Sequence, residues 1–196
     1  MFEPVDLNEH IAQLKRDLNG LQAHAETLRV LASTVLAALC RGNKLLTCGN
    51  GGSAAEAAHF AEELTGRFYR ERPSLPALCL CADSALLTCI ANDYSFEDVF
   101  ARQIQSLGQP GDVLVGFTSS GNSENVIRAV NAARERGLIT GLFSGRDGGS
   151  AKGLADYEII VKSKNPSSMR IQECHQLLMH VLCEMVEAGY LAGRSA

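Results

Sequence analysis

From Lys44 onward, short apolar runs alternate with stretches of helical periodicity, and this alternation constrains the fold more than any other feature. The runs are "KLLTC", "PALCLC", "DVLVGF", "ITGLF" and "YEIIV", and a segment with helical spacing follows each of them. Strands that alternate with helices form a parallel sheet covered on both faces. The sequence therefore predicts an α/β protein, a three-layer α-β-α sandwich around a five-stranded parallel sheet.

Ligands of such sheets bind beyond the carboxyl ends of the strands, where the loops and helix N-termini gather. The loops that this rule selects share small and polar residues, and they read "GNGGS", "CADSA", "TSSGNSEN" and "SGRDGGS". The first and third run alike from a strand through a Gly/Ser/Asn turn into a helix. We therefore expect these two loops to form two sides of one pocket.

The N-terminal segment has a different pattern, with apolar residues separated by alternating steps of three and four. These residues are Leu7, Ile11, Leu14, Leu18, Leu21, Ala25, Leu28, Ala32, Val35 and Leu39. The spacing predicts a long helix with a heptad seam. Asp6 and Glu9 form a possible capping box, Gly42 is a stop signal, and Gly20 is a point where the helix could bend or split.

Two interpretations of this seam are open, namely a helix lying on its own core and a helix packed against its copies in an oligomer. The length of the seam favours the oligomer, because a small sheet cannot cover it. We accordingly divide the chain into an N-terminal oligomerisation segment, residues 1–42, and an α/β domain, residues 43–196, within a single structural unit.

Composition excludes several classes of function. The net charge is −4 and no run of Lys or Arg occurs, so nucleic acid is not an expected partner. The apolar runs are shorter than the roughly 20 residues of a membrane span, and Met1 opens no signal peptide, which predicts a cytoplasmic protein without membrane contact. The seven cysteines are odd in number and lack C-x-x-C spacing, so we interpret them as small apolar residues rather than disulfides or zinc ligands.

The first glycine-rich loop superficially fits a dinucleotide fingerprint, since Gly49, Gly51 and Ala54 satisfy G-x-G-x-x-A. That mechanism also needs an acidic residue about 20 positions later, at the end of the second strand. The expected place falls in "FYRERPS", which does not resemble a strand, and the next strand is followed only by Asp83. We therefore expect no nucleotide cofactor.

The loop "TSSGNS" is the strongest candidate for a phosphate site, and we call residues 118–123 the phosphate cradle. It offers the hydroxyl groups of Thr118, Ser119, Ser120 and Ser123 where a helix begins. Free N–H groups and the positive end of the helix dipole favour an anion there. Capping alone is the alternative, but one cap needs only one such residue.

Two helices carry candidates for acid/base or metal chemistry. His59 and Glu63 are four residues apart, which places them on one helix face, although such a pair can also be an ordinary surface contact.

On the last helix, "RIQECHQLLMHVLCEM" predicts a core seam, with Gln172, Gln176 and His180 on the adjacent ridge. The seam residues are Ile171, Cys174, Leu178, Val181 and Met185. His175 is an alternative to His180 that spacing does not exclude. Gln172 and His180 would lie about 12 Å apart along a straight helix, so one ion reaches both only if Gln172 precedes regular helix or the helix bends.

These motifs together resemble the phosphoheptose isomerases, which belong to the sugar isomerase (SIS) domain proteins. The similarity covers nearly the whole chain, through "CGNGGSAAEAAHFAEELTGRF", "RPSLPALCL", "IANDYSFEDVF", "PGDVLVGFTSSGNSENVIRAV", "GRDGGSAKGLADYEIIV" and "RIQECHQLLMH". The resemblance implies isomerisation of D-sedoheptulose 7-phosphate to D-glycero-D-manno-heptose 7-phosphate, for bacterial heptose biosynthesis. It also implies a homotetramer whose sites are completed across subunits.

The resemblance further implies roles for individual residues. Glu63 and His180 correspond to the acid/base pair. The zinc ligands, one Zn²⁺ per subunit, correspond to His59, Glu63, Gln172 and His180. The sugar-phosphate contacts correspond to Asn50, Gly51, Gly52, Ser53, Glu63, Asn92, Asp93, Thr118, Ser119, Ser120, Ser123 and Gln172.

The isomerase interpretation has two rivals. One is a noncatalytic SIS protein similar to a replication-initiator-associating protein, and the other is a sensor that binds a sugar phosphate without converting it. Both would lack the full acid/base set, whereas Glu63 and His180 are present here together with the phosphate cradle.

Overall fold

A computed structural model describes residues 5–163 and 167–193, and it confirms the predicted parallel sheet. Each of the five apolar runs contributes one strand. The strands are β1 (Leu45–Gly49), β2 (Ala77–Cys79), β3 (Val113–Thr118), β4 (Ile139–Gly145) and β5 (Tyr157–Val161). Their order in the sheet is β2-β1-β3-β4-β5, and every neighbouring pair is parallel. The carboxyl ends of all the strands therefore lie at one edge.

Helices cover both faces of the sheet. They are α1 (Leu7–Gly20), α2 (Ala25–Cys40), α3 (Gly52–Thr65), α4 (Ser84–Asp93), α5 (Ala101–Leu107), α6 (Glu124–Glu135) and α7 (Ser168–Ala192), with 3-10 turns at Leu21–His24, Phe96–Asp98 and Gly149–Ala151. Side chains alternate across a strand, so Leu45 packs with α2, α3 and α7, whereas Leu46 packs with α5 and α6. The three-layer sandwich is confirmed.

The N-terminal segment splits where Gly20 predicted a break. Helix α1 ends at Gly20, a 3-10 turn follows, and α2 continues to Cys40, with Gly42 just beyond at φ 86°. The Asp6 side chain accepts a hydrogen bond from the backbone N–H of Asn8, which confirms the cap. The Glu9 carboxylate instead accepts from Gln13.

The two halves of the seam are buried to different degrees. Leu28, Ala32 and Val35 of α2 are buried in the core, so this half lies on its own sheet domain. Helix α1 buries no residue, and Leu7 and Ile11 are 69% and 41% exposed. By length and composition, Leu7–Cys40 is apolar enough to cross a membrane, but core helices pass the same test. Within the 18-residue window of that stretch that meets the test, 33% of the residues are buried in the structure.

The predicted seam of α7 is wrong in its second half. Ile171, Cys174 and Leu178 are buried as expected, but Val181 is only partly buried and Met185 is 37% exposed. The predicted positions repeat every 3.5 residues, while a straight helix repeats every 3.6, so the core-facing stripe drifts around the helix. Towards the end of α7 the buried positions are Leu182, Cys183, Val186 and Glu187.

Candidate active site

Helices α3 and α7 bring three of the predicted site residues together. His59 Nε2 lies 2.9 Å from Glu63 Oε1. The His180 ring crosses the His59 ring edge to face with centroids 5.0 Å apart. One ligand atom from each of His59, Glu63 and His180 can be chosen so that all lie within 4.8 Å of one another. Two imidazoles and a carboxylate at this spacing form a donor set suited to zinc.

Gln176 joins these residues through its amide, and we call His59, Glu63, Gln176 and His180 the His59 cluster. The amide nitrogen of Gln176 lies 2.8 Å from His59 Nδ1 and 2.9 Å from His180 Nε2. Sequence reasoning placed Gln176 on the correct ridge of α7 but gave it no role. Its position four residues before His180 was the available signal.

Gln172 lies one turn earlier on the same ridge and does not take part in the described hydrogen bonds of the His59 cluster. Helix α7 begins at Ser168, so Gln172 sits within regular helix, about 12 Å from His180 along the axis. Its amide packs on Gly52, where an added Cβ would lie 2.4 Å from Gln172 Nε2. Gly52, Gln172, His59 and Gln176 line one cavity of about 470 Å³. The role of Gln172 as a zinc ligand remains a prediction.

A buried ion pair fixes the two helices that carry the cluster, and sequence reasoning missed it. The Arg72 guanidinium donates to the carbonyl oxygens of Glu63 and Leu64 at the end of α3. Its Nε lies 3.4 Å from Glu187 Oε1 of α7, and the two side chains are 0% and 3% exposed. Glu187 also accepts hydrogen bonds from the backbone N–H groups of Tyr69 and Arg70. We call Arg72 and Glu187 the clamp.

His175, the alternative to His180, belongs to the core instead. It is fully buried against Phe117 and Phe143, and its Nε2 donates to the carbonyl oxygen of Ser144 at 3.0 Å. Its Nδ1 lies 3.8 Å from Glu56 Oε2, and neither Glu56 oxygen has a hydrogen-bond partner. Because α7 turns His175 away from His59, His180 is the histidine that faces α3.

The phosphate cradle lies at the carboxyl end of β3, as predicted. Thr118 Oγ1 and Ser123 Oγ are 3.0 Å apart. Ser123 occupies the N-cap position of α6, but its hydroxyl makes no cap hydrogen bond. No side chain therefore caps this helix, so capping does not explain the hydroxyl groups. The N–H groups of the first turn and the cradle hydroxyls present a surface suited to an anion.

Close contacts join the loops at this edge. The Asn50 and Asn125 amides exchange two hydrogen bonds, of 2.8 and 2.9 Å, which link the first loop to the start of α6. Gly121 has φ +69°, and an added Cβ would lie 2.0 Å from the carbonyl oxygen of Gly148, so the cradle packs directly on the loop after β4. Asn125 was missed, although the likeness between the two loops was its signal.

The remaining predicted contacts lie at the start of α3 and the end of α4. Gly51, with φ 56°, precedes α3, and Ser53 is buried in its first turn. Asn92 and Asp93 end α4 in an exposed position, where the Asn92 amide donates to the Asp93 carboxylate at 2.8 Å. The described hydrogen bonds do not connect Asn92 or Asp93 to the cradle or to the His59 cluster.

The first glycine-rich loop and Glu63 of the His59 cluster lie near opposite ends of α3. Glu63 is eleven residues from Gly52 at the start of α3, which corresponds to about 16 Å of helix. Among the described residues, no hydrogen bond or ion pair joins the cradle and the His59 cluster directly. The cavity lined by Gly52, Gln172 and His59 extends along α3 from its first turn to the His59 cluster.

The seven cysteines are free thiols, and four of them are buried as expected for small apolar residues. Burial raises the pKa of Cys174 to about 11, and burial also raises the pKa of Cys48 and Cys183. Cys40 and Cys89 are exposed, which the apolar runs around them did not predict.

Comparisons with known proteins agree with the sequence motifs. The family model described as SIS domain matches residues 9–143. The phosphoheptose isomerase of Aquifex aeolicus (strain VF5) is 50% identical over 167 residues, covering 85% of this chain and 86% of that protein. The phosphoheptose isomerase of Helicobacter pylori (strain P12) is 47% identical over 92% of each chain. The solved phosphoheptose isomerase of Neisseria gonorrhoeae superposes with a TM-score of 0.85 at 41% identity, covering 93% of this chain and 97% of that one. The chain belongs to the phosphoheptose isomerase family of SIS-domain proteins.

Proposed function

We propose that this protein isomerises D-sedoheptulose 7-phosphate to D-glycero-D-manno-heptose 7-phosphate, a step towards the heptose of bacterial surface polysaccharides. The observation that carries the proposal is the His59 cluster, because it places a carboxylate beside two imidazoles in a chain of this family. A binding protein without turnover has no need of such an arrangement.

The reaction moves one proton between neighbouring carbon atoms. We assign the Glu63 carboxylate as the base that removes a proton from C1 of the open-chain ketose, which yields an enediol. Delivery of a proton to C2 then completes the aldose, while His180 transfers a proton between the two oxygen atoms. A positioned carboxylate and imidazole suit this task, and general acid/base catalysis contributes roughly 10²- to 10⁴-fold to a rate.

The donor set also fits a bound zinc ion, which His59, Glu63 and His180 would hold. The family resemblance adds Gln172, which lies about 12 Å from His180 along α7 and outside that group. Such an ion supplies a Lewis acid for the oxygen that gains negative charge. Glu63 cannot serve at once as a tight ligand and as a free base, so its two assigned roles compete.

The phosphate cradle binds the far end of the substrate in this proposal. Thr118, Ser119, Ser120 and Ser123 would donate hydrogen bonds to the phosphate, and its binding would position the reacting carbons. Asn50, Gly51, Gly52, Ser53, Asn92, Asp93 and Gln172 are the proposed contacts along the sugar.

We propose a homotetramer with sites completed across subunits, in line with the lack of any described hydrogen bond between the cradle and the His59 cluster. A cradle from one subunit would then serve the His59 cluster of another. The exposed Leu7 and Ile11 of α1 give residues 1–42 an apolar surface for the assembly, beside the SIS domain of residues 43–196. We also propose a cytoplasmic location.

The test is an assay of the purified, zinc-loaded protein with sedoheptulose 7-phosphate, in which NMR follows the aldose product. Unphosphorylated sedoheptulose is the matched control, and we expect it to react far more slowly because it lacks the group that the cradle binds. Absence of turnover, with binding of the sugar phosphate retained, would overturn the isomerase and favour the sensor.

A further inference from the structure

Cys79 and Cys81 bring two thiols to one turn, directly after strand β2. Alternating residues of a strand point to opposite faces or the same face by their spacing, but β2 ends at Cys79 and the chain turns there. The backbone N–H of Ala82 donates to the carbonyl oxygen of Cys79 at 3.2 Å, which closes residues 79–82 into a β-turn. The backbone N–H of Cys81 lies 3.4 Å from Cys79 Sγ. The turn therefore folds Cys81 back onto the Cys79 thiol.

The Cys81 thiol also contacts the first glycine-rich loop of the candidate site. Its Sγ lies 3.2 Å from the carbonyl oxygen of Gly49, the last residue of β1. A thiol carries one hydrogen, so Cys79 Sγ and the Gly49 carbonyl are two acceptors for the same donor. Gly49 packs tightly on α3, since an added Cβ would lie 2.5 Å from the backbone oxygen of Ser53. A change at the Cys81 thiol therefore acts on the start of the first loop.

The two thiols are unequal in acidity. Hydrogen bonds from the side chain and the backbone N–H of Cys81 lower the pKa of the Cys79 thiol to about 6, although burial opposes them. The same contact raises the pKa of the Cys81 thiol. Cys79 is 8% exposed, Cys81 is half-buried and Ala82 is exposed, so the turn opens to solvent. A thiolate with a second thiol beside it is the arrangement that reacts reversibly with peroxides.

We propose that Cys79 and Cys81 form a reversible oxidation site, at which hydrogen peroxide converts the two thiols into a disulfide and the Gly49 carbonyl loses its thiol donor. The Cys79 thiolate attacks one peroxide oxygen, which forms an S–O bond, breaks the O–O bond and releases hydroxide. The Cys81 sulfur then attacks the resulting sulfenic acid, which forms the S–S bond and breaks the S–O bond. The Cys81 proton and the departing hydroxide leave as water. The two sulfur atoms together lose two electrons, which the peroxide gains.

The disulfide should weaken the binding of the sugar phosphate. It leaves Cys81 without a hydrogen, so the bond to Gly49 is lost and the first loop, with the proposed sugar contacts Asn50 and Ser53, is held less firmly. Glu63 lies near the other end of α3, so KM should change more than kcat. This effect on turnover rests on the proposed isomerase function, whereas formation of the disulfide does not.

The first test treats the purified, zinc-loaded protein with hydrogen peroxide, alkylates the remaining thiols and locates the disulfide by mass spectrometry. Trypsin leaves Cys79, Cys81 and Cys89 in one peptide, residues 71–102, so fragmentation must place the bond. We expect a loss of two hydrogens confined to residues 79–81, an alkylated Cys89, and full reversal by dithiothreitol. Free thiols at Cys79 and Cys81, a disulfide that includes Cys89, or sulfinic acid at Cys79 without a disulfide would overturn the proposal.

Turnover tests the link to Gly49. We expect peroxide to raise the KM of the wild type for sedoheptulose 7-phosphate roughly twofold to tenfold, and dithiothreitol to restore it. Cys81→Ser keeps a hydroxyl donor but cannot form the disulfide, so its KM should resemble that of the reduced wild type and resist peroxide. Cys81→Ala lacks the donor, so its KM should be raised without peroxide. Cys89→Ser, which removes an exposed thiol of α4, is the matched control and should respond to peroxide as the wild type does.

The kinetic outcomes separate this proposal from the proposed function. A wild type that forms the disulfide with an unchanged KM would overturn the link to Gly49, and so would a Cys81→Ser protein that remains sensitive to peroxide. Urea denaturation shows whether each variant is folded, and the response of the wild type needs no variant. If the wild type forms the disulfide but does not turn over the sugar phosphate, the proposed function fails and the oxidation site stands.

Discussion

Helices α3 and α7 meet at two groups of charged side chains that differ sharply in their exposure. In the clamp, the Arg72 and Glu187 side chains are 0% and 3% exposed, and the remaining bonds of both go to backbone groups. In the His59 cluster, the His59 and Glu63 side chains are 38% and 14% exposed, and they bond mainly to side chains.

This difference distinguishes residues that stabilise the fold from residues that we propose take part in the reaction. Arg72 donates to the backbone carbonyl of Glu63, so the clamp fixes the backbone of a residue whose side chain belongs to the His59 cluster. Buried charges without partners are costly, which ties the clamp to the folded state. Side chains that bond to one another near a cavity can exchange those bonds for a ligand. The clamp should therefore affect stability, and the cluster should affect activity.

The largest expected effect follows from Glu63→Gln, which removes the base while keeping the shape of the side chain. We expect kcat to fall roughly 10²- to 10⁴-fold and the unfolding midpoint in urea to stay close to that of the wild type. Glu62→Gln, the same change at the exposed neighbouring position, is the control and should retain activity. An equal loss of kcat in Glu63→Gln and Glu62→Gln would contradict the assignment of the reaction to the His59 cluster.

Next in size is the clamp. Arg72→Met leaves the Glu187 carboxylate buried without its charge partner, so we expect a loss of about 3–5 kcal/mol in the free energy of unfolding. Glu187→Gln keeps one acceptor for the backbone N–H groups and should lose less. Urea denaturation followed by circular dichroism measures both. A stable Arg72→Met protein would show that the clamp does not support α3.

The phosphate cradle provides a third test of the distinction between residues that affect stability and residues that affect activity. Ser123→Ala removes a hydroxyl that makes no cap hydrogen bond but contacts Thr118 Oγ1 at 3.0 Å, so we expect a loss of about 1 kcal/mol in stability. Since hydrogen bonds to charged groups contribute about 1.5–3 kcal/mol, we expect kcat/KM for the sugar phosphate to fall roughly tenfold to a hundredfold. Turnover of unphosphorylated sedoheptulose, however slow, should not change further. A similar loss of kcat/KM with both sugars would show that Ser123 does not act through the phosphate group.

The smallest effect concerns Asp112, a second structural carboxylate, at the amino end of β3. It accepts hydrogen bonds from Lys44 Nζ and from the backbone N–H groups of Lys44 and Gln109. Burial opposes its ionisation, but these hydrogen bonds outweigh burial and lower the pKa of Asp112. We expect Asp112→Asn to lose about 1–2 kcal/mol of stability at neutral pH and to keep its activity.

The same lowered pKa predicts a pH dependence. The unfolded chain binds a proton at Asp112 more readily than the folded one, so its contribution is complete above the unfolded pKa, about 3.9. It is lost as the pH falls through the lower folded pKa. The stability difference between the wild type and Asp112→Asn, measured by urea denaturation from pH 6 to pH 3, should therefore shrink below about pH 4. A constant difference would contradict this account.

Local patterns predicted much of the fold. The alternation of apolar runs and helical segments predicted every strand, and Gly20 marked the break between α1 and α2. These features depend on side-chain periodicity and backbone freedom, which are local properties of the sequence. The heptad-like spacing did not predict the drift of the buried face of α7, because this drift accumulates only over a long helix.

Contacts between distant segments could not be predicted in the same way. Arg72 and Glu187 form an ion pair although they lie 115 positions apart in the sequence. The sequence shows both charges but does not indicate that they pair with each other. Gln176 lay on the predicted ridge, but only the packing of α7 on α3 shows that its amide reaches His59. The resemblance supplied roles for Glu63 and His180, and the structure supplied their proximity.

The most direct test of the central claim is turnover of sedoheptulose 7-phosphate in D₂O by the wild type and Glu63→Gln, followed by NMR of the aldose product. The account predicts product with deuterium at C2 from the wild type, and almost no product from a folded Glu63→Gln protein. Product formed by Glu63→Gln as fast as by the wild type would contradict it.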